Sequence, residues 1–413
     1  MEVATGANSV RGHQRVVALS RSIVIAGAGI GGLTAALSVA ARGFRAVIME
    51  RAEKLEEAGA GLQLSPNASR VLIDLGLEKA LAPYVIAPDA ISVNTSRTGK
   101  ELTRIPLGGA AVARYGAPYW IIRRADLQAA LLSRVTNHHD IELRLGCHYE
   151  DVASYAKGVT VVQRRGTARE QEPALALIGA DGVWSTVRHQ MYPDLLPQFT
   201  GRIAWRGTVD ARQLPREFNA KRVQLWMGPN AHIVAYPMKD GKRINVVAIV
   251  TGQWNRPGWS EPGNAADITQ HFLLPQWPIA PRMLIGAVEG WRKWALFAMK
   301  DGGVWGKGTV ALLGDASHAM LPFVAQGAGT AIEDAAVVAK CLQEGKDDVT
   351  AAFARYAKLR SSRLARVQRT ARTTGEIYHL RGPFAVARDQ SIRFLGGANL
   401  LARQNWIYNW RAD

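Results

Sequence analysis

The N-terminal part of the chain alternates short apolar runs with a longer segment that lacks helix breakers. Ser22–Ala26 is apolar and contains β-branched residues, and Arg45–Met49 repeats this pattern, so each predicts a buried strand. Between them, Leu33–Ala41 predicts a helix. The order strand, helix, strand indicates a βαβ unit, which we expect to run to about Pro88.

Further along the chain, the spacing of the apolar residues changes. Ile91–Thr95 predicts a strand followed by a turn, and residues 124–134 predict a helix. From about 200 to 280, short alternating runs separated by Pro and Gly predict an antiparallel sheet with one side facing a ligand. Thr309–Leu313 then predicts a last buried strand, and residues 330–342 predict a helix.

These elements predict an α/β (α+β) fold. A discontinuous Rossmann-like dinucleotide-binding domain is interrupted by an antiparallel-sheet substrate domain and followed by a C-terminal helical segment. The predicted divisions are a flexible tail at 1–20, the dinucleotide-binding domain at 21–88, 108–199 and 281–345, the substrate domain at 89–107 and 200–280, and the C-terminal helical segment at 346–413.

Glycines lie where the first predicted strand meets the first predicted helix. Gly27, Gly29 and Gly32 let the backbone approach a pyrophosphate closely, and the N-terminus of the helix supplies unpaired N–H groups and partial positive charge. Glu50 ends the second strand, where an acid binds a ribose hydroxyl, and we include the adjacent Arg51 in the predicted site. The alternative is a glycine-rich turn that closes an ordinary βαβ unit.

Two further glycine–acid motifs follow in a fixed order. Asp181 lies in a Gly-Ala-Asp-Gly sequence after an apolar strand, and Asp315 follows a glycine after the last strand. A loop with Gly327, Ala328 and Gly329 then opens a helix and directs backbone donors at whatever lies above it. A simple nicotinamide dehydrogenase needs neither motif, so the three together favour a flavin. For Asp315 the alternative is a buried N-cap aspartate.

The predicted strand at 231–237 carries two polar side chains suited to catalysis. Side chains alternate along a strand, so His232 and Tyr236 share one face and can reach one pocket. A phenol has a pKa near 10, so at pH 7 about one molecule in a thousand is phenolate, a penalty of roughly 4 kcal/mol. A histidine with a pKa near 6.5 is suited to accept that proton. The alternative is a histidine on the outer face of the sheet.

Composition limits the class of protein. At 413 residues, of which 48% are hydrophobic, the chain is large enough for two or three domains with a buried core. It contains no run of 18 apolar residues and no secretory pattern, so we predict neither a membrane span nor a signal peptide. Cys147 and Cys341 are far apart, which predicts no disulfide framework and a cytoplasmic location. His138-His139 lacks a spaced partner, so we predict no metal site.

Basic residues outnumber acidic ones by 51 to 34, a net charge of +17, which raises the question of nucleic-acid binding. Five arginines recur at three-residue spacing along a predicted helix: Arg360, Arg363, Arg366, Arg369 and Arg372. This spacing drifts around a helix, and such a stripe is usually a solvated face. Attraction of an anionic substrate and a nicotinamide cofactor is a sufficient use of the positive charge, so we predict no nucleic-acid partner.

The three glycine–acid motifs, in this order and at this wide separation, resemble those of the FAD-dependent aromatic hydroxylases, the single-component flavoprotein monooxygenases. The resemblance covers nearly the whole chain. Within the family, the chain looks most like salicylate, 3-hydroxybenzoate and 6-hydroxynicotinate hydroxylases. Three segments carry this narrower resemblance: Gly59-Ala-Gly61-Leu-Gln63-Leu-Ser-Pro66-Asn67, Arg124-Ala-Asp-Leu127 and Ala331-Ile-Glu333-Asp334-Ala335.

The resemblance implies an oxidoreductase in which NADH or NADPH reduces FAD, and O₂ then gives a flavin C4a-hydroperoxide. This species would hydroxylate a phenolic or hydroxypyridine carboxylic acid, with loss of CO₂ where the attacked carbon bears the carboxyl group. Two alternatives stay open. One is a same-fold FAD monooxygenase that acts on a quinone precursor or a larger apolar substrate, and the other is a basic binding protein that uses a dinucleotide only structurally. We expect a monomer or a homodimer.

The resemblance also implies roles for the cofactor residues. Asp315 would hold the FAD ribityl chain, the loop at 327–329 would lie near the pyrimidine end of the flavin, and Arg124 would contact the diphosphate. Asp181 would lie near the flavin and the nicotinamide cofactor. Cys147 falls where a backbone group contacts adenine in relatives, and we interpret its thiol as a small core group.

The substrate residues follow from the same resemblance, because relatives have a histidine and a tyrosine at the spacing of His232 and Tyr236. Pro322 matches a proline beside the reactive flavin carbon, with an ordinary loop proline as the alternative. Arg206 would meet a carboxylate, line the path of the flavin or form a sheet-edge ion pair. The remaining candidates are Gln63, Val223 and Leu225, and the register of the last two against Gln224 and Trp226 is open.

Overall fold

The computed structural model describes residues 21–55, 61–155, 157–238, 241–256, 258–273, 275–345 and 348–412. The predicted tail at 1–20 and Gly59 lie outside the described residues. The strands are β1 (Ser22–Ala26), β2 (Arg45–Glu50), β3 (Gly61–Leu64), β4 (Ala90–Thr95), β5 (Glu101–Pro106), β6 (Trp120–Arg123), β7 (Ile141–Leu145), β8 (Cys147–Tyr155), β9 (Gly158–Arg165), β10 (Ala168–Ala174), β11 (Ala176–Gly179), β12 (Gln198–Asp210), β13 (Arg222–Gly228), β14 (Ala231–Pro237), β15 (Arg243–Thr251), β16 (Ser260–Gly263), β17 (Trp291–Ala298), β18 (Gly306–Lys307) and β19 (Val310–Leu312). The helices are α1 (Ile30–Ala40), α2 (Pro66–Asp74), α3 (Glu78–Leu81), α4 (Gly108–Tyr115), α5 (Arg124–Thr136), α6 (Thr186–Met191), α7 (Ala265–Thr269), α8 (Ile279–Gly286), α9 (Asp315–His318), α10 (Gly327–Gly345), α11 (Val349–Tyr378), α12 (Gly382–Ala402) and α13 (Asn405–Tyr408).

A six-stranded sheet contains the predicted βαβ unit, formed by β1, α1 and β2. The strand order is β18-β19-β11-β1-β2-β7, and all neighbouring strands except β18 and β19 run parallel. The predicted strands at 22–26 and 45–49 and the predicted helix beginning at Arg124 are confirmed. The fold class predicted from the sequence, a mixed α/β fold with a C-terminal helical segment, is also confirmed.

The six-stranded sheet is covered on both faces. Ile23, Ile25 and Ile48 point to one face and pack in a core with α1, α5 and α10. Val24 and Val47 point to the other face and pack against the small antiparallel sheet formed by β8, β9 and β10. Apolar runs without alternation are typical of parallel strands that are buried on both sides, which explains the pattern in the sequence.

An eight-stranded sheet contains the strands of the predicted substrate domain, in the order β16-β17-β12-β15-β14-β13-β4-β5. Its strands run antiparallel as predicted, except for the parallel pair β4 and β13. This exception arises where the hairpin β4-β5, from earlier in the chain, joins the edge of the sheet. β17 pairs with β12, so the sheet extends past the predicted limit at residue 280. One face of this sheet packs on α7 and α8, and the opposite face borders a cavity.

Helices α11 and α12 form a further wall of this cavity. The predicted solvated stripe on α11 agrees with the exposed Arg366, Arg369 and Arg372 but is wrong for Arg360 and Arg363. The spacing of the arginines alone could not show that acids of α10 face these two. The arginine partners are Glu333 and Asp334 for Arg360, Glu333 for Arg363, the Trp406 ring for Arg366 and Asp301 for Arg372. None of the described helices is both long enough and apolar enough to cross a membrane.

Candidate active site

A cavity of about 1170 Å³ lies between the two large sheets and the C-terminal helices. Its walls come from the turn before α1, from β3, from one face of β12 to β15, from the loop before α10, and from α11 and α12. The cavity brings together eleven of the predicted site residues: Gly29, Gln63, Arg124, Val223, Leu225, His232, Tyr236, Asp315, Pro322, Gly327 and Ala328.

The glycine turn before α1 has the shape that a dinucleotide needs. Gly27 has a φ of +106°, and a Cβ on it would lie 2.6 Å from the carbonyl oxygen of Ala180. A Cβ on Gly32 would lie 1.9 Å from the carbonyl oxygen of Gly27, so the helix can approach the turn only without a side chain there. The backbone N–H of Ala28 donates to Oε2 of Glu50 at 2.8 Å, which holds the predicted ribose-binding carboxylate against the turn.

The loop between β19 and α10 forms a second wall near this turn. Asp315 is the first residue of α9, and its exposed side chain borders the cavity, so the alternative of a buried N-cap is wrong. Gly327 and Ala328 begin α10 beside it. Backbone N–H groups at a helix N-terminus attract anionic or electron-rich groups, so this wall fits the predicted flavin.

A buried acid pair at Glu333 and Asp334 supports this loop. Both residues belong to a segment that carries the family resemblance, but no role was predicted for either. Asp334 accepts from the N–H of Gly314 at 3.0 Å and pairs with His318 at 2.5 Å and with Arg360 at 2.7 Å. Burial alone would raise the pKa of Asp334, but the interactions with His318 and Arg360 lower it. The carboxylate therefore stays ionised and ties the loop to α10 and α11.

Strand β14 presents the predicted catalytic pair to the cavity. His232, Val234 and Tyr236 border the cavity, whereas Ile233 and Ala235 pack in the core on the opposite face, so the predicted alternation is confirmed. His232 is 2% exposed, which rules out the alternative of a histidine on an outer face.

The ring of His232 lies in an apolar surrounding, with ring centroids 5.2 Å from Phe323 and 5.4 Å from Tyr378. Its Nδ1 is 2.8 Å from Nε2 of His379. Burial, followed by His379 and the charge of Arg202, lowers the pKa of His232 well below the usual range. This lowered pKa makes His232 a weaker base than the sequence alone predicts.

Tyr236 lies directly over the backbone of β3. A Cβ on Gly61 would lie 2.5 Å from Cε2 and 2.7 Å from Oη of Tyr236, so only a glycine leaves room for this ring. The N–H of Gly61 donates to Oδ1 of Asn245 at 3.1 Å, which fixes the strand below the ring. Burial raises the pKa of Tyr236, while the charge of Arg206 opposes this effect. The hydroxyl is therefore neutral at physiological pH.

Arg206 is a half-buried cation on the cavity wall. It lies on β12, which is an interior strand, so the alternative of a sheet-edge ion pair is wrong. Its guanidinium carbon is 5.1 Å from the centre of the Trp294 ring, and its Nε has no hydrogen-bond partner among the described residues. Burial lowers the pKa of Arg206. A half-buried cation with an unused donor on a cavity wall favours an anionic ligand.

Strand β13 settles the register that the sequence left open. Val223 and Leu225 border the cavity, whereas Trp226 packs in the opposite core. Gln224 points away as well, and its Nε2 donates to the carbonyl oxygen of Glu217 at 3.1 Å.

Several predicted cofactor residues lie outside the cavity wall. Arg51 is exposed next to Glu50. Asp181 accepts from the N–H groups of Thr186 and Val187 at 2.8 and 3.1 Å and so caps α6. Cys147 is buried, and its Sγ is 2.8 Å from Oε1 of Gln163. Cofactor contacts for these residues stay predictions, as does the contact predicted for Gly329.

One group of possible metal ligands occurs in the described part of the chain. His138, His139 and Asp140 lie in the turn after α5, with ligand atoms within 4.8 Å of one another. The sequence interpretation overlooked Asp140 as a neighbour of the two histidines. The Nδ1 of His138 already accepts from the N–H of Asp140 at 3.2 Å, and none of these residues borders the cavity.

Two further residues of the site were missed because their partners are distant in the chain. The hydroxyl of Tyr119 donates to Oε1 of Gln63 at 2.8 Å and so orients the amide of Gln63 at the cavity. His379, just after α11, contacts His232 across 147 residues of sequence. No local pattern in the sequence marks either residue, because each contact depends on how separate elements pack.

Comparisons with known proteins agree with this geometry. A family model described as FAD binding domain matches residues 20–374. The 3-amino-4-hydroxybenzoate 2-monooxygenase PtnB3 of Streptomyces platensis is 37% identical over 392 residues, covering 94% of this chain and 96% of that protein. The 3-hydroxybenzoate 6-hydroxylase of Klebsiella oxytoca is 31% identical over 392 residues, covering 94% of this chain and 97% of that protein.

A solved structure shows the same architecture. A salicylate hydroxylase substrate complex has a TM-score of 0.79 to this chain at 26% identity, covering 95% of this chain and 96% of that one. The family model matches most of the chain, and both relatives exceed 30% identity almost from end to end. The predicted resemblance is thus confirmed, and the chain belongs to the FAD-dependent aromatic hydroxylases, a family of flavoprotein monooxygenases.

Proposed function

We propose that the chain is an NAD(P)H- and O₂-dependent FAD monooxygenase that hydroxylates a phenolic or hydroxypyridine carboxylic acid. The observation that carries this proposal is the single cavity, which joins Gly29 and Asp315 of the predicted cofactor site to His232 and Tyr236 of the predicted substrate site. The names of the relatives, which specify an aminohydroxybenzoate and a hydroxybenzoate, support an aromatic hydroxy acid as the substrate class.

The shape of the glycine turn and the exposed Asp315 fit FAD. The residues that would hold FAD are Gly27, Gly29, Gly32, Glu50, Arg124, Asp315 and the loop at 327–329. Bound there, FAD would accept hydride from NADH or NADPH and activate O₂ for transfer of one oxygen atom. The protein's part is to bind the two substrates, orient them and keep water away from the reacting atoms.

The substrate ring would be held by the eight-stranded sheet. Val223 and Leu225 supply an apolar wall, and His232 and Tyr236 supply polar atoms for the ring oxygen. Arg206 is suited to the carboxylate, because it is a cation on the cavity wall and its Nε has no hydrogen-bond partner among the described residues. Pro322 and Gln63 border the same cavity, and the fixed φ of a proline suits the shaping of a tight pocket.

The test is NADH and NADPH oxidation by the purified holoprotein against hydroxybenzoates, aminohydroxybenzoates and hydroxypyridine carboxylates, with oxygen uptake and product mass recorded. We expect one class of acid to accelerate oxidation and to gain one oxygen atom, and the product mass also shows whether CO₂ is lost. His232→Ala should lower kcat/KM by about 10- to 100-fold, the loss typical of one hydrogen bond to a charged group. The matched control His148→Ala, at an exposed position of β8, should retain wild-type turnover.

A holoprotein that no acid stimulates would contradict the proposed substrate class. One observation would then favour the same-fold alternative, since the cavity continues between α11 and α12 past the apolar side chains of Ile377, Phe384 and Ile392. A larger apolar or quinone-like substrate would fit that extension. Assembly as a monomer or homodimer, a cytoplasmic location and the lack of a nucleic-acid partner stay predictions.

A further inference from the structure

We propose that His379 fixes the tautomer of His232, so that His232 presents an N–H at Nε2 to the cavity and binds the ring oxygen of the substrate as a hydrogen-bond donor. His379 is then a positioning residue, because it acts only through His232. The identity of the substrate rests on the function proposed above. The tautomer of His232 does not depend on that function, so the tautomer and the proposed function can be tested separately.

The geometry allows only two arrangements of protons. Nδ1 of His232 and Nε2 of His379 are 2.8 Å apart, and both side chains are buried, at 2% and 6% exposure. A hydrogen bond between two neutral imidazoles needs one proton between them, carried by one ring or the other. If His379 donates, His232 must carry its own proton at Nε2. If His232 donates, its Nε2 is a bare acceptor.

The second ring nitrogen of His379, Nδ1, which does not contact His232, decides between these arrangements. This nitrogen is buried and has no hydrogen-bond partner among the described residues. If His232 donated, His379 would carry its proton at this Nδ1, which would create a buried N–H without an acceptor. Orphaned N–H groups of this kind are rare and unfavourable in folded proteins. The arrangement in which His379 donates from Nε2 avoids such a group.

The charges around the pair exclude a third proton. The groups that face the two rings are Arg202 on β12, Arg388 on α12, Phe323 before α10 and Tyr378 at the end of α11. Burial and then the charges of Arg202 and Arg388 lower the pKa of His379 to about 3. The pair is therefore neutral at physiological pH and carries two protons in total.

A neutral pair of this kind is a poor acceptor for the proton of a phenol. Transfer of a proton from a group with a pKa near 10 to His232 is strongly unfavourable, because burial, His379 and Arg202 hold the pKa of His232 well below its usual range. The proton must instead pass to water or buffer when the acid binds. The phenolate oxygen then accepts the hydrogen bond from Nε2 of His232, and Arg206 adds positive charge to the same cavity.

The first experiment observes the tautomer directly, by NMR of the holoprotein labelled with ¹⁵N-histidine and free of substrate. The signals of the pair are assigned by their loss in His232→Gln and His379→Gln. We expect His232 as the Nε2–H tautomer in the wild type. In His379→Leu, which removes the donor, His232 should lose this preference. A wild-type His232 protonated at Nδ1 would overturn the proposal, whatever the substrate.

The second experiment counts protons during binding of a phenolic acid, by calorimetry in buffers of different ionisation enthalpy below the pKa of the phenol. We expect about one proton released per acid bound. Release close to zero would mean that the proton stays on the acid or passes to the protein. The first result overturns binding as the phenolate, and the second overturns the neutral donor role of His232. The same acid without its hydroxyl group is the matched control, and it should release none.

The variants separate positioning from folding. His379→Gln keeps a donor and should bind the phenolic acid within about threefold of the wild type. His379→Leu should bind it roughly 10- to 100-fold more weakly, a loss typical of one hydrogen bond to a charged group. Binding of the acid without the hydroxyl and retention of FAD should be unchanged in both variants. If both variants bound the phenolic acid equally well, His379 would have no positioning role.

Discussion

At Gly61 the main chain of β3 passes directly under the ring of Tyr236. Any Cβ there would lie 2.5 Å from the ring, so Gly61→Ala should push Tyr236 out of position. We expect a loss of about 1–3 kcal/mol in the free energy of unfolding, typical of an overpacked core, together with weaker binding of the aromatic acid. Thermal unfolding and a titration of the flavin absorbance with the acid measure the two effects.

Gly290→Ala is the matched control for Gly61, because a Cβ on Gly290 meets no atom within 4 Å. That variant should bind the acid like the wild type. Equal binding by Gly61→Ala would show that the Tyr236 ring can move without consequence, and Tyr236 would then lose its assigned place in the substrate site.

His379 should make stability depend on pH. Its pKa is lowered to about 3 in the folded protein, mainly by burial, against about 6.5 in an unfolded chain. The unfolded state thus takes up a proton below pH 6.5 while the folded state does not. The stability associated with the neutral ring is complete above pH 6.5 and is lost as pH falls toward 3, by up to about 1.4 kcal/mol per pH unit.

Urea unfolding between pH 5 and 7.5 measures this slope. His379→Leu cannot titrate at this position, so its free energy of unfolding should fall less steeply with decreasing pH than that of the wild type. His148→Leu, at an exposed position, should leave the slope unchanged. Identical slopes in the wild type and His379→Leu would mean that this histidine is not held neutral by burial.

At the scale of elements, one buried arginine joins α11 to α10. Arg360 is 1% exposed and pairs with Glu333 at 2.8 Å and Asp334 at 2.7 Å. Arg360→Met should leave both carboxylates short of a partner in the core and cost about 3–5 kcal/mol in the free energy of unfolding. The loop that begins at Gly314 depends on Asp334, so we also expect faster loss of FAD.

The control for Arg360 lies on the same helix. Arg355 pairs with Glu344 at 2.7 Å, but its side chain is 55% exposed, so Arg355→Met should cost about 0–1 kcal/mol. Denaturant unfolding and the rate of FAD release are compared for the two variants. Similar losses in the free energy of unfolding for both variants would show that the burial of Glu333 and Asp334 does not determine how much their pairing with Arg360 stabilises the fold.

The elements that the sequence could predict are those with a local pattern. The alternation of His232 and Tyr236 with Ile233 and Ala235 placed the pair on one face of β14, and the glycines before α1 marked the turn. The pairing of β17 with β12 could not be predicted, because register between distant strands depends on packing and turn geometry. The burial of Arg360 could not be predicted either, because its partners Glu333 and Asp334 belong to another helix, α10.

At the scale of the whole molecule, one cavity collects residues from nearly every part of the fold. Its predicted cofactor end is formed by the loops that follow β1, β11 and β19 together with α10, and its predicted substrate end by the eight-stranded sheet. The C-terminal helices complete it and bring basic side chains with them. Those that border the cavity are Arg366, Arg369, Arg388 and Arg403. The net charge of +17 is thus concentrated in part where an anion would enter.

This arrangement predicts that salt slows the entry of anionic substrates. Field focusing in a charged cleft raises association rates by about 10- to 1000-fold, and the Debye length falls from about 30 Å at 0.01 M to about 10 Å at 0.1 M ionic strength. We expect the association rate of an aromatic carboxylate, followed by stopped-flow flavin absorbance, to fall about tenfold across this range. The corresponding neutral amide should show almost no change.

Two variants locate the effect on the molecule. Arg369→Gln removes a charge that borders the cavity and should flatten the salt dependence for the carboxylate. Arg216→Gln removes the same charge from an exposed position outside the cavity wall and should leave most of that dependence in place. If both variants behaved alike, the net charge of the protein and not the cavity entrance would govern association. If the amide responded to salt as strongly as the acid, electrostatic attraction would be the wrong explanation for the basic composition.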